Sequence, residues 1–395
     1  MDGWKLRWPP SSWPRRFYCF SLALIALACS SREGLQVASL LVPAAQTTSK
    51  HLAPNLVGSS ARYEPNVGTM SSTPYAFRPH CHQIHSFRLC ERRSVASLEG
   101  GSDSDMGRAS VNLNTVVTGA NRGLGFALAE RMARLGHRVV LTCRNEQEGR
   151  SALERLRVRG CARRVRFHRL DVTCARSLDS FRENCVHGTL GGRVDVLFNN
   201  AAVCLPGSDR AVLEQALAVN LYGALDVMEA CFPTNTRIFS KPTVVWVSSG
   251  EGELCFLSSK WQELLGRAES LEEITSHLSE LLSSSDRGDH SDSAAPSSSA
   301  NSEIAFGPTP TYSISKAAVN AVVRAWGPRL AAERGVRLVA VCPGDVLTRM
   351  TSEEEVARGD GVSPDRAALD VVNVALRPAD FPHGRFYRAG KEIGW

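Results

Sequence analysis

The sequence predicts an α/β fold in which helices cover both faces of a doubly wound parallel sheet. From about residue 111 onward, short apolar runs alternate with segments of helical spacing, as in successive βαβ units. A glycine-rich stretch, residues 118–125 (TGANRGLG), separates the first apolar run from the first helical segment. The expected strands lie near residues 113–118, 138–143, 165–170, 195–199, 242–248 and 336–342.

The glycine-rich stretch is expected to form the turn between the first strand and the first helix. Glycine has no Cβ and tolerates positive φ, so Gly119, Gly123 and Gly125 would let the backbone approach a pyrophosphate at the positive end of a helix dipole. The spacing G-x-x-x-G-x-G differs from the G-x-G-x-x-G of many dinucleotide-binding proteins. The alternative is an ordinary tight turn that binds no ligand.

The second expected strand ends in Arg144, at a position where many dinucleotide enzymes carry an acidic residue for the ribose 2′-hydroxyl. An arginine there favours a 2′-phosphate instead. Arg122, inside the glycine turn, offers a second cation for the same phosphate. Either arginine alone is commonly a solvated surface residue, whereas the two together predict NADP(H) as the cofactor.

Polar residues also follow the third and fourth expected strands. Asp171 is followed by Val172, and its carboxylate could accept a hydrogen bond from an adenine amino group; a local cap is the alternative. Asn199 and Asn200 precede Ala201 near the expected nicotinamide side of the site. An asparagine pair can also simply build a turn.

A candidate proton donor comes from two residues that share one helix face. Tyr312 and Lys316 stand four residues apart in a helical pattern, and an ammonium close by favours the phenolate, which lets a tyrosine exchange a proton near working pH. Ser248 and Ser249 end the fifth expected strand at the same edge of the sheet. Asn220 lies in a helical pattern, where its amide could equally cap local backbone.

In order and spacing, these motifs resemble the short-chain dehydrogenases/reductases from about residue 111 to the end of the chain. The motifs that carry the resemblance are Thr118-Gly119-x-x-x-Gly123-x-Gly125, Asn199-Asn200-Ala201, Ser249, Tyr312-x-x-x-Lys316 and Pro343-Gly344. Within that family the chain looks most like the carbonyl reductases, through its glycine turn, the strand end at residues 141–144, the tail from Gly384 to Trp395 and a long insert before Tyr312. The resemblance implies a Rossmann fold over residues 109–395.

The resemblance also implies roles for individual residues. Tyr312 would donate the proton to a carbonyl oxygen, Lys316 would lower the Tyr pKa and bind the nicotinamide ribose, Ser249 would hold the substrate oxygen and Asn220 would order a water. Ser249 is chosen over Ser248 only because of the family's usual position. Motifs and resemblance together give as dinucleotide-binding residues Gly119, Asn121, Arg122, Gly123, Leu124, Gly125, Arg144, Asp171, Val172, Asn200, Ala201, Tyr312, Lys316, Pro343, Gly344 and Thr348.

Charge and cysteine usage exclude some classes of partner. The formal charge of +6 lies entirely in residues 1–100, which hold 11 Lys or Arg against 5 Asp or Glu, so we expect no nucleic-acid partner for the rest. The twelve cysteines show no C-x-x-C pair, and Cys143, Cys231 and Cys342 lie in apolar runs, which indicates reduced, buried thiols. Residues 80–85 (HCHQIH) fit no common zinc spacing, and we expect no metal.

The composition of residues 1–108 is typical of a targeting leader. Residues 1–30 combine a basic start with a short apolar run, as in a secretory signal or signal anchor, and residues 31–108 are rich in Ser and Thr, poor in acid and dotted with Arg, like a transit peptide. The two together predict an organelle reached through a secretory signal, such as a plastid, with no stable membrane span in the mature enzyme. A mitochondrial presequence and a disordered tail on a cytoplasmic enzyme are the alternatives.

A long insert, at about residues 251–307, precedes Tyr312. Trp261 to Leu282 has helical periodicity, with residues 270–273 (SLEE) readable as a capping box, and residues 283–303 have a composition typical of disorder. The insert could form a lid over the substrate, or cover a surface that other family members use to oligomerise, which would make the protein a monomer. A solvated loop without a role is the third reading.

The predicted activity is NADPH-dependent reduction of an aldehyde, ketone or quinone to an alcohol, with a small-molecule carbonyl as substrate. One alternative is an NADP-dependent dehydrogenase of a specific lipid or terpenoid alcohol. Another is a non-catalytic NADP-binding protein, which need not keep Asn220, Ser249, Tyr312 and Lys316 together.

Overall fold

The computed structural model describes residues 112–233, 238, 241–284, 304–305, 309–348 and 361–395. The expected leader, the histidine and cysteine cluster at residues 80–85 and nearly all of the expected disordered stretch 283–303 lie outside these residues. The fold described below is therefore that of the predicted enzyme domain.

Eight strands form one sheet in the described part of the chain. They are β1 (Asn114–Val117), β2 (Arg138–Cys143), β3 (Val165–Arg169), β4 (Val196–Asn199), β5 (Thr243–Val247), β6 (Arg337–Cys342), β7 (Phe386–Arg388) and β8 (Lys391–Ile393). Their spatial order is β3-β2-β1-β4-β5-β6-β7-β8, and all neighbours are parallel except β7 and β8. All six predicted strands are present, and the order reverses between β1 and β4, where such sheets bind ligands.

The sequence reading missed β7 and β8. Each has three residues, too few to establish a periodicity, and they form a hairpin around Ala389 and Gly390, which have φ values of +48° and +71°. Two successive residues with positive φ are typical of the tight turns that join antiparallel strands. The hairpin extends the sheet beyond β6.

Nine α-helices accompany these strands within the described residues. They are α1 (Gly123–Arg134), α2 (Glu146–Leu156), α3 (Ala175–Ser180), α4 (Arg210–Leu217), α5 (Gly223–Cys231), α6 (Ser259–Arg267), α7 (Leu271–Ser284), α8 (Pro310–Arg334) and α9 (Pro364–Leu376). Two apolar clusters lie on opposite faces of the sheet: Val116 belongs to the one shared with α5 and α8, and Val117 to the one shared with α1 and α9. Successive strand residues point to opposite faces, so β1 contributes to both cores.

The insert folds against α8. The predicted helical stretch is interrupted, because α6 ends at Arg267 and α7 begins at Leu271. The predicted capping residue is confirmed: Glu273 N donates to Ser270 Oγ at 3.1 Å, while the Glu273 carboxylate accepts from Glu269 N at 2.7 Å. These two bonds satisfy backbone donors at the start of α7.

Arg324 of α8 binds the end of α6 in the insert. Arg324 Nη2 donates to the carbonyl oxygens of Leu265 at 2.9 Å and Ala268 at 2.7 Å, where α6 ends. Trp261 and Leu265 of α6 are buried in the same apolar cluster as the inner face of α8. The helical part of the insert is therefore a packed element and not a solvated loop.

No α-helix of the described ranges is both long enough and apolar enough to cross a bilayer.

Candidate active site

The glycine turn after β1 is shaped by close backbone packing. Gly119 and Gly123 have φ values of +63° and +55°, a backbone conformation that residues with a side chain rarely adopt. A Cβ at Gly119 would lie 2.9 Å from Ala201 Cα, and one at Gly125 would lie 2.6 Å from the carbonyl oxygen of Gly119. A Cβ at Gly123 would lie 3.1 Å from Thr348 Cγ2. The three glycines are thus required by the turn and its neighbours as well as by any ligand.

Asn200 and Ala201 hold this turn in place. Asn200 Nδ2 donates to the carbonyl oxygens of Thr118 at 2.8 Å and Gly119 at 3.2 Å. Thr118 Oγ1 accepts from the backbone N–H groups of Asn200 and Ala201, both at 3.0 Å. The expected place of Asn200 beside the nicotinamide stays a prediction, and the structure adds that its amide joins the end of β4 to the end of β1. Thr118 was not among the predicted site residues, although a threonine ending a strand before the turn was a signal.

A cleft of about 720 Å³ opens beside the turn. Four of the predicted cofactor residues line it: Asn121, Arg122, Gly123 and Thr348. The sequence reading missed six further lining residues, which come from α2, the segment after β6 and the start of α9: Gln147, Glu148, Ser151, Arg155, Leu347 and Pro364. The signal for the α2 residues was their place on the first helix after Arg144.

The charges around the cleft are mixed. Arg122 lines it and is exposed, whereas the exposed Arg144 is not one of the lining residues. Arg155 crosses from α2, stacks its guanidinium 4.4 Å from the centre of the Phe126 ring and donates to Asn121 O. The Glu148 carboxylate accepts from Asn121 Nδ2. The cleft therefore offers two guanidinium groups and one carboxylate.

Asp171 makes a local turn after β3. Its Oδ1 accepts from Thr173 N at 3.0 Å and from Thr173 Oγ1 at 2.7 Å. Asp171 thus makes the local cap that was the alternative interpretation of this residue. Its expected contact with the adenine amino group stays a prediction. Val172 is buried, and a Cβ at Gly223 would lie 2.7 Å from Val172 Cγ2, so this valine packs against the start of α5.

Lys316 is buried beneath the candidate proton donor. Its side chain is 3% exposed, and Nζ donates to the carbonyl oxygen of Val247, the last residue of β5, at 2.7 Å. Nζ lies 5.6 Å from the centre of the Tyr312 ring. Burial lowers the pKa of Lys316 to about 8. The lysine is thus fixed between the sheet and the tyrosine.

Tyr312 meets Ser249 at the carboxyl edge of the sheet. Their side chains are joined by a hydrogen bond, which lowers the pKa of Tyr312, while burial has the larger effect and raises it above its usual value. Ser248 points away from this pair: it is buried, and its Oγ has no hydrogen-bond partner in the described part of the protein. The structure therefore brings together Ser249 and Tyr312, the two hydroxyls that the resemblance implies.

Asn220 lies in a wide helical turn, Ala218–Tyr222, between α4 and α5. Its amide is fully engaged: Nδ2 donates to Ser315 Oγ at 2.9 Å and Val203 O at 3.0 Å, and Oδ1 accepts from Val203 N at 2.8 Å. Such wide turns are frequent at functional sites. The asparagine side chain joins the loop after β4 to the helix of Tyr312, and its expected water stays a prediction.

The segment after β6 completes the edge. Gly344 has a φ of +79°, and Pro343 before it is half-buried. Thr348 reaches the glycine turn, because its Cγ2 would lie 3.1 Å from a Cβ added at Gly123. These residues follow the end of β6, and their expected contact with the nicotinamide stays a prediction.

The residues present fit a phosphorylated dinucleotide. The turn is a cradle that a Cβ would fill, and α1 begins within it at Gly123, with Leu124 as its second residue. A helix N-terminus is a binding site for phosphate, and the cleft beside this one carries Arg122 and Arg155. Guanidinium groups and helix N-termini are the donors that phosphates prefer. The arrangement can hold phosphates at the turn and an oxygen substrate at Ser249 and Tyr312.

The cysteines and the possible metal ligands of the described residues form neither a disulfide nor a cluster that could hold a metal ion. The described part of the chain contains free cysteines, and Cys143, Cys231 and Cys342 are buried as predicted. It contains no group of three or more His, Cys, Asp or Glu side chains arranged to hold a metal ion.

This sheet order, the glycine turn and the Ser249, Tyr312 and Lys316 set together define an oxidoreductase fold. The sequence model of the family described as short chain dehydrogenase matches residues 114–259 and 295–358. The chain belongs to the short-chain dehydrogenase/reductase family.

Several characterised relatives are similar over nearly their whole lengths. Carbonyl reductase (NADPH) 1 of Rattus norvegicus is 30% identical over 295 residues, which cover 71% of this chain and 97% of the relative. The (+)-neomenthol dehydrogenase of Arabidopsis thaliana is 31% identical over 301 residues, which cover 69% of this chain and 94% of the relative. The solved structure of salutaridine reductase from Papaver somniferum matches with a TM-score of 0.57 and 26% identity, covering 70% of this chain and 99% of that one.

Proposed function

We propose that this protein is an NADPH-dependent carbonyl reductase that reduces an aldehyde, ketone or quinone to an alcohol, with Tyr312 as the general acid. The observation that carries the proposal is the hydrogen-bonded pair of Ser249 and Tyr312 above a buried Lys316 whose Nζ is fixed to Val247 O. A carbonyl oxygen that binds between the two hydroxyls would receive one hydrogen bond from each. The rat relative, named for its use of NADPH, supports the cofactor assignment.

Each residue has a defined task in this proposal. Bound NADPH supplies the hydride, as nicotinamide cofactors do. Tyr312 holds the proton that the developing alkoxide takes up, and a positioned acid of this kind contributes about 10²–10⁴-fold to the rate. Ser249 orients the carbonyl oxygen, and Lys316 provides a nearby positive charge that favours loss of the phenol proton. Asn220 keeps the helix of Tyr312 against the loop after β4.

The cleft beside the glycine turn is the proposed site of the cofactor phosphates. Gly119, Gly123 and Gly125 allow close approach of the backbone, and Arg122 would contact the 2′-phosphate together with Arg144. Arg144→Asp should raise the KM for NADPH far more than that for NADH. Equal effects on the two cofactors would refute the assignment of Arg144.

The catalytic assignment is tested by Tyr312→Phe. We expect turnover to fall by at least about 10²-fold, because the phenol proton is lost, while the dissociation constant of NADPH, measured by fluorescence titration, changes little. Tyr387→Phe is the matched control, since Tyr387 is a buried tyrosine whose hydroxyl donates to Pro382 O and takes no part in the proposed chemistry. Unchanged turnover in Tyr312→Phe would exclude the mechanism.

A second candidate function is oxidation of a specific lipid or terpenoid alcohol with NADP. The similarity to a (+)-neomenthol dehydrogenase favours it, at 31% identity over 94% of that relative. Initial rates with a panel of aldehydes, ketones, quinones and terpenoid alcohols, each with NADPH or NADP, would separate the two functions. A protein that binds NADPH but turns over none of them would support the third reading, a non-catalytic NADP-binding protein.

We further propose that residues 1–108 direct the enzyme to an organelle reached through the secretory pathway, such as a plastid. The basic and apolar start, followed by a Ser/Thr-rich stretch poor in acid, supports this. Residues 1–100 fused to a fluorescent reporter should label that organelle. Mitochondrial labelling would favour the presequence alternative, and a diffuse cytoplasmic signal would contradict the proposal.

A further inference from the structure

A carboxylate that the proposed mechanism does not use lies next to the two catalytic hydroxyls. Glu251 is the second residue after Ser249, in the short 3-10 turn Gly250–Gly252 that follows β5. Its backbone N–H donates to Ser249 Oγ at 3.2 Å. Glu251 is therefore tied to the serine through the main chain.

The side chain of Glu251 reaches the start of α8. Its Oε2 accepts a hydrogen bond from Thr309 Oγ1, at the N-cap position of that helix, and Ser313 Oγ lies 3.1 Å from the same oxygen. Thr309 and Ser313 flank Tyr312 in the first turn of α8. The N-terminus of a helix also stabilises a carboxylate through its dipole.

One side chain thus connects the two segments that carry the reacting hydroxyls. The contacts join residues 58 and 62 positions apart, across the whole insert. The N-cap residue Thr309 caps no backbone N–H of α8, and its hydroxyl donates instead to the carboxylate of Glu251. Loss of this connection would let the serine turn and the tyrosine turn move independently.

We propose that Glu251 is a positioning residue of the reduction: it fastens the turn of Ser249 to the first turn of α8 and so fixes the spacing of the Ser249 and Tyr312 hydroxyls. This inference rests on the proposed role of Tyr312 as general acid. Glu251 touches neither the substrate nor the cofactor in this scheme, and it acts through the two hydroxyls that do.

The charge of Glu251 has a second, measurable effect. The titratable or charged groups that face Tyr312 are Cys204 from the loop after β4, Glu251, Cys342 at the end of β6, and Lys316 on its own helix. Burial raises the pKa of Tyr312 most, and the negative charge of Glu251 raises it further. A raised pKa keeps the phenol protonated to higher pH, so the charge of Glu251 affects the pH at which the proposed proton donor is lost.

Two variants separate spacing from charge. Glu251→Gln keeps the size and one acceptor oxygen but removes the charge, so the alkaline limb of the pH profile of reductive kcat should move to lower pH. Glu251→Ala removes both, and kcat should fall by on the order of ten-fold, a part of the about 10²–10⁴-fold that a positioned acid contributes. The dissociation constant of NADPH should change by less than about two-fold in both, since the contacts lie outside the glycine turn.

Glu253→Gln is the matched control. This carboxylate lies two residues further on and binds Arg388 of β7, not α8, so its loss should leave the alkaline limb where it is in the wild type. Hydrogen exchange of the protein without cofactor gives a readout independent of turnover. Peptides that cover residues 309–316 should exchange faster in Glu251→Ala than in Glu253→Gln.

The outcomes are distinguishable from failure of the proposed function. If Tyr312→Phe retains turnover, the general-acid mechanism itself falls. If Tyr312→Phe is inactive but the Glu251 and Glu253 variants share one pH profile and one exchange rate, only the role of Glu251 is overturned. Should Glu251→Ala fail to fold, hydrogen exchange of residues 309–316 in Glu251→Gln decides alone, because loss of the charge weakens both hydrogen bonds to α8. Exchange faster than in Glu253→Gln supports the proposal, and an equal rate refutes it.

Discussion

Replacing Lys316 by Met changes a buried charge and a buried hydrogen bond at once, and the two changes affect folding in opposite directions. Burial lowers the pKa of Lys316 from 10.5 to about 8, so the folded protein binds that proton less tightly than the unfolded chain. This difference corresponds to about 3 kcal/mol of destabilisation at pH 7. The methionine also leaves Val247 O without its 2.7 Å donor, which costs about 1–3 kcal/mol.

The net result depends on pH with a definite sign. Because the folded-state pKa lies below the unfolded one, the penalty is complete below pH 8, falls between pH 8 and 10.5, and is absent above pH 10.5. At pH 7 Lys316→Met should therefore be more stable than the wild type by about 1 kcal/mol, and above pH 10.5 it should be less stable by about 1–3 kcal/mol. The sign of the difference should change between these two conditions.

Urea denaturation of both proteins without cofactor, at pH 7 and at successively higher pH, measures this difference directly. Comparison at equal pH cancels the other titrating groups. Lys391→Met is the control, because Lys391 is exposed on β8, and exposed substitutions change stability by less than about 0.5 kcal/mol. A stability difference for Lys316→Met that does not vary with pH would refute the reasoning, whatever its size.

Three further predictions concern other parts of the domain. Asp226→Asn should stabilise the protein by about 3 kcal/mol above pH 6 and by nothing below pH 3.8. Burial raises the pKa of this carboxyl from 3.8 to about 6, so stability that is present below pH 3.8 is lost as the pH rises through 6. Equal gains in urea denaturation at both ends of this range would contradict the prediction. Gly125→Ala should abolish NADPH binding in a fluorescence titration, because its Cβ would lie 2.6 Å from Gly119 O; wild-type affinity would show that the turn can shift. Arg324→Met should lower the free energy of unfolding by about 1–3 kcal/mol and speed proteolysis within the insert, since two carbonyl groups lose their donor. Unchanged proteolysis would mean that the other contacts of the insert hold it without Arg324.

The central strands could be predicted from the sequence because they are buried on both faces. Residues 243–247 (TVVWV) and 337–342 form continuous buried runs. Such apolar runs can be recognised in the sequence even when the neighbouring strands are not known. The three-residue strands β7 and β8 carry no such pattern, since each is defined by its partner. The break between α6 and α7 was also missed, although Ser270, which caps the second helix, was identified.

The residues of the candidate site likewise fall into some that local spacing predicts and some that only the fold brings together. Tyr312 and Lys316 were found because four residues of helix determine their relative position. Glu251 was not found, because its partners Thr309 and Ser313 are brought to it only by the folding of the insert and of α8. Similarly, Arg155 lies far from the glycine turn in sequence, and only the packing of α2 against β2 and β3 brings it to Asn121. Long-range contacts of polar side chains leave no periodic trace in a single sequence.

The first turn and the middle of α8 make different contacts. Tyr312 lies in its first turn and Arg324, which fastens the insert, lies twelve residues later, about 18 Å along the helix at 1.5 Å per residue. A change in α6 would therefore act on α8 about 18 Å from Tyr312. The same helix thus carries the proposed proton donor in its first turn and a hydrogen-bonded attachment of the insert near its middle.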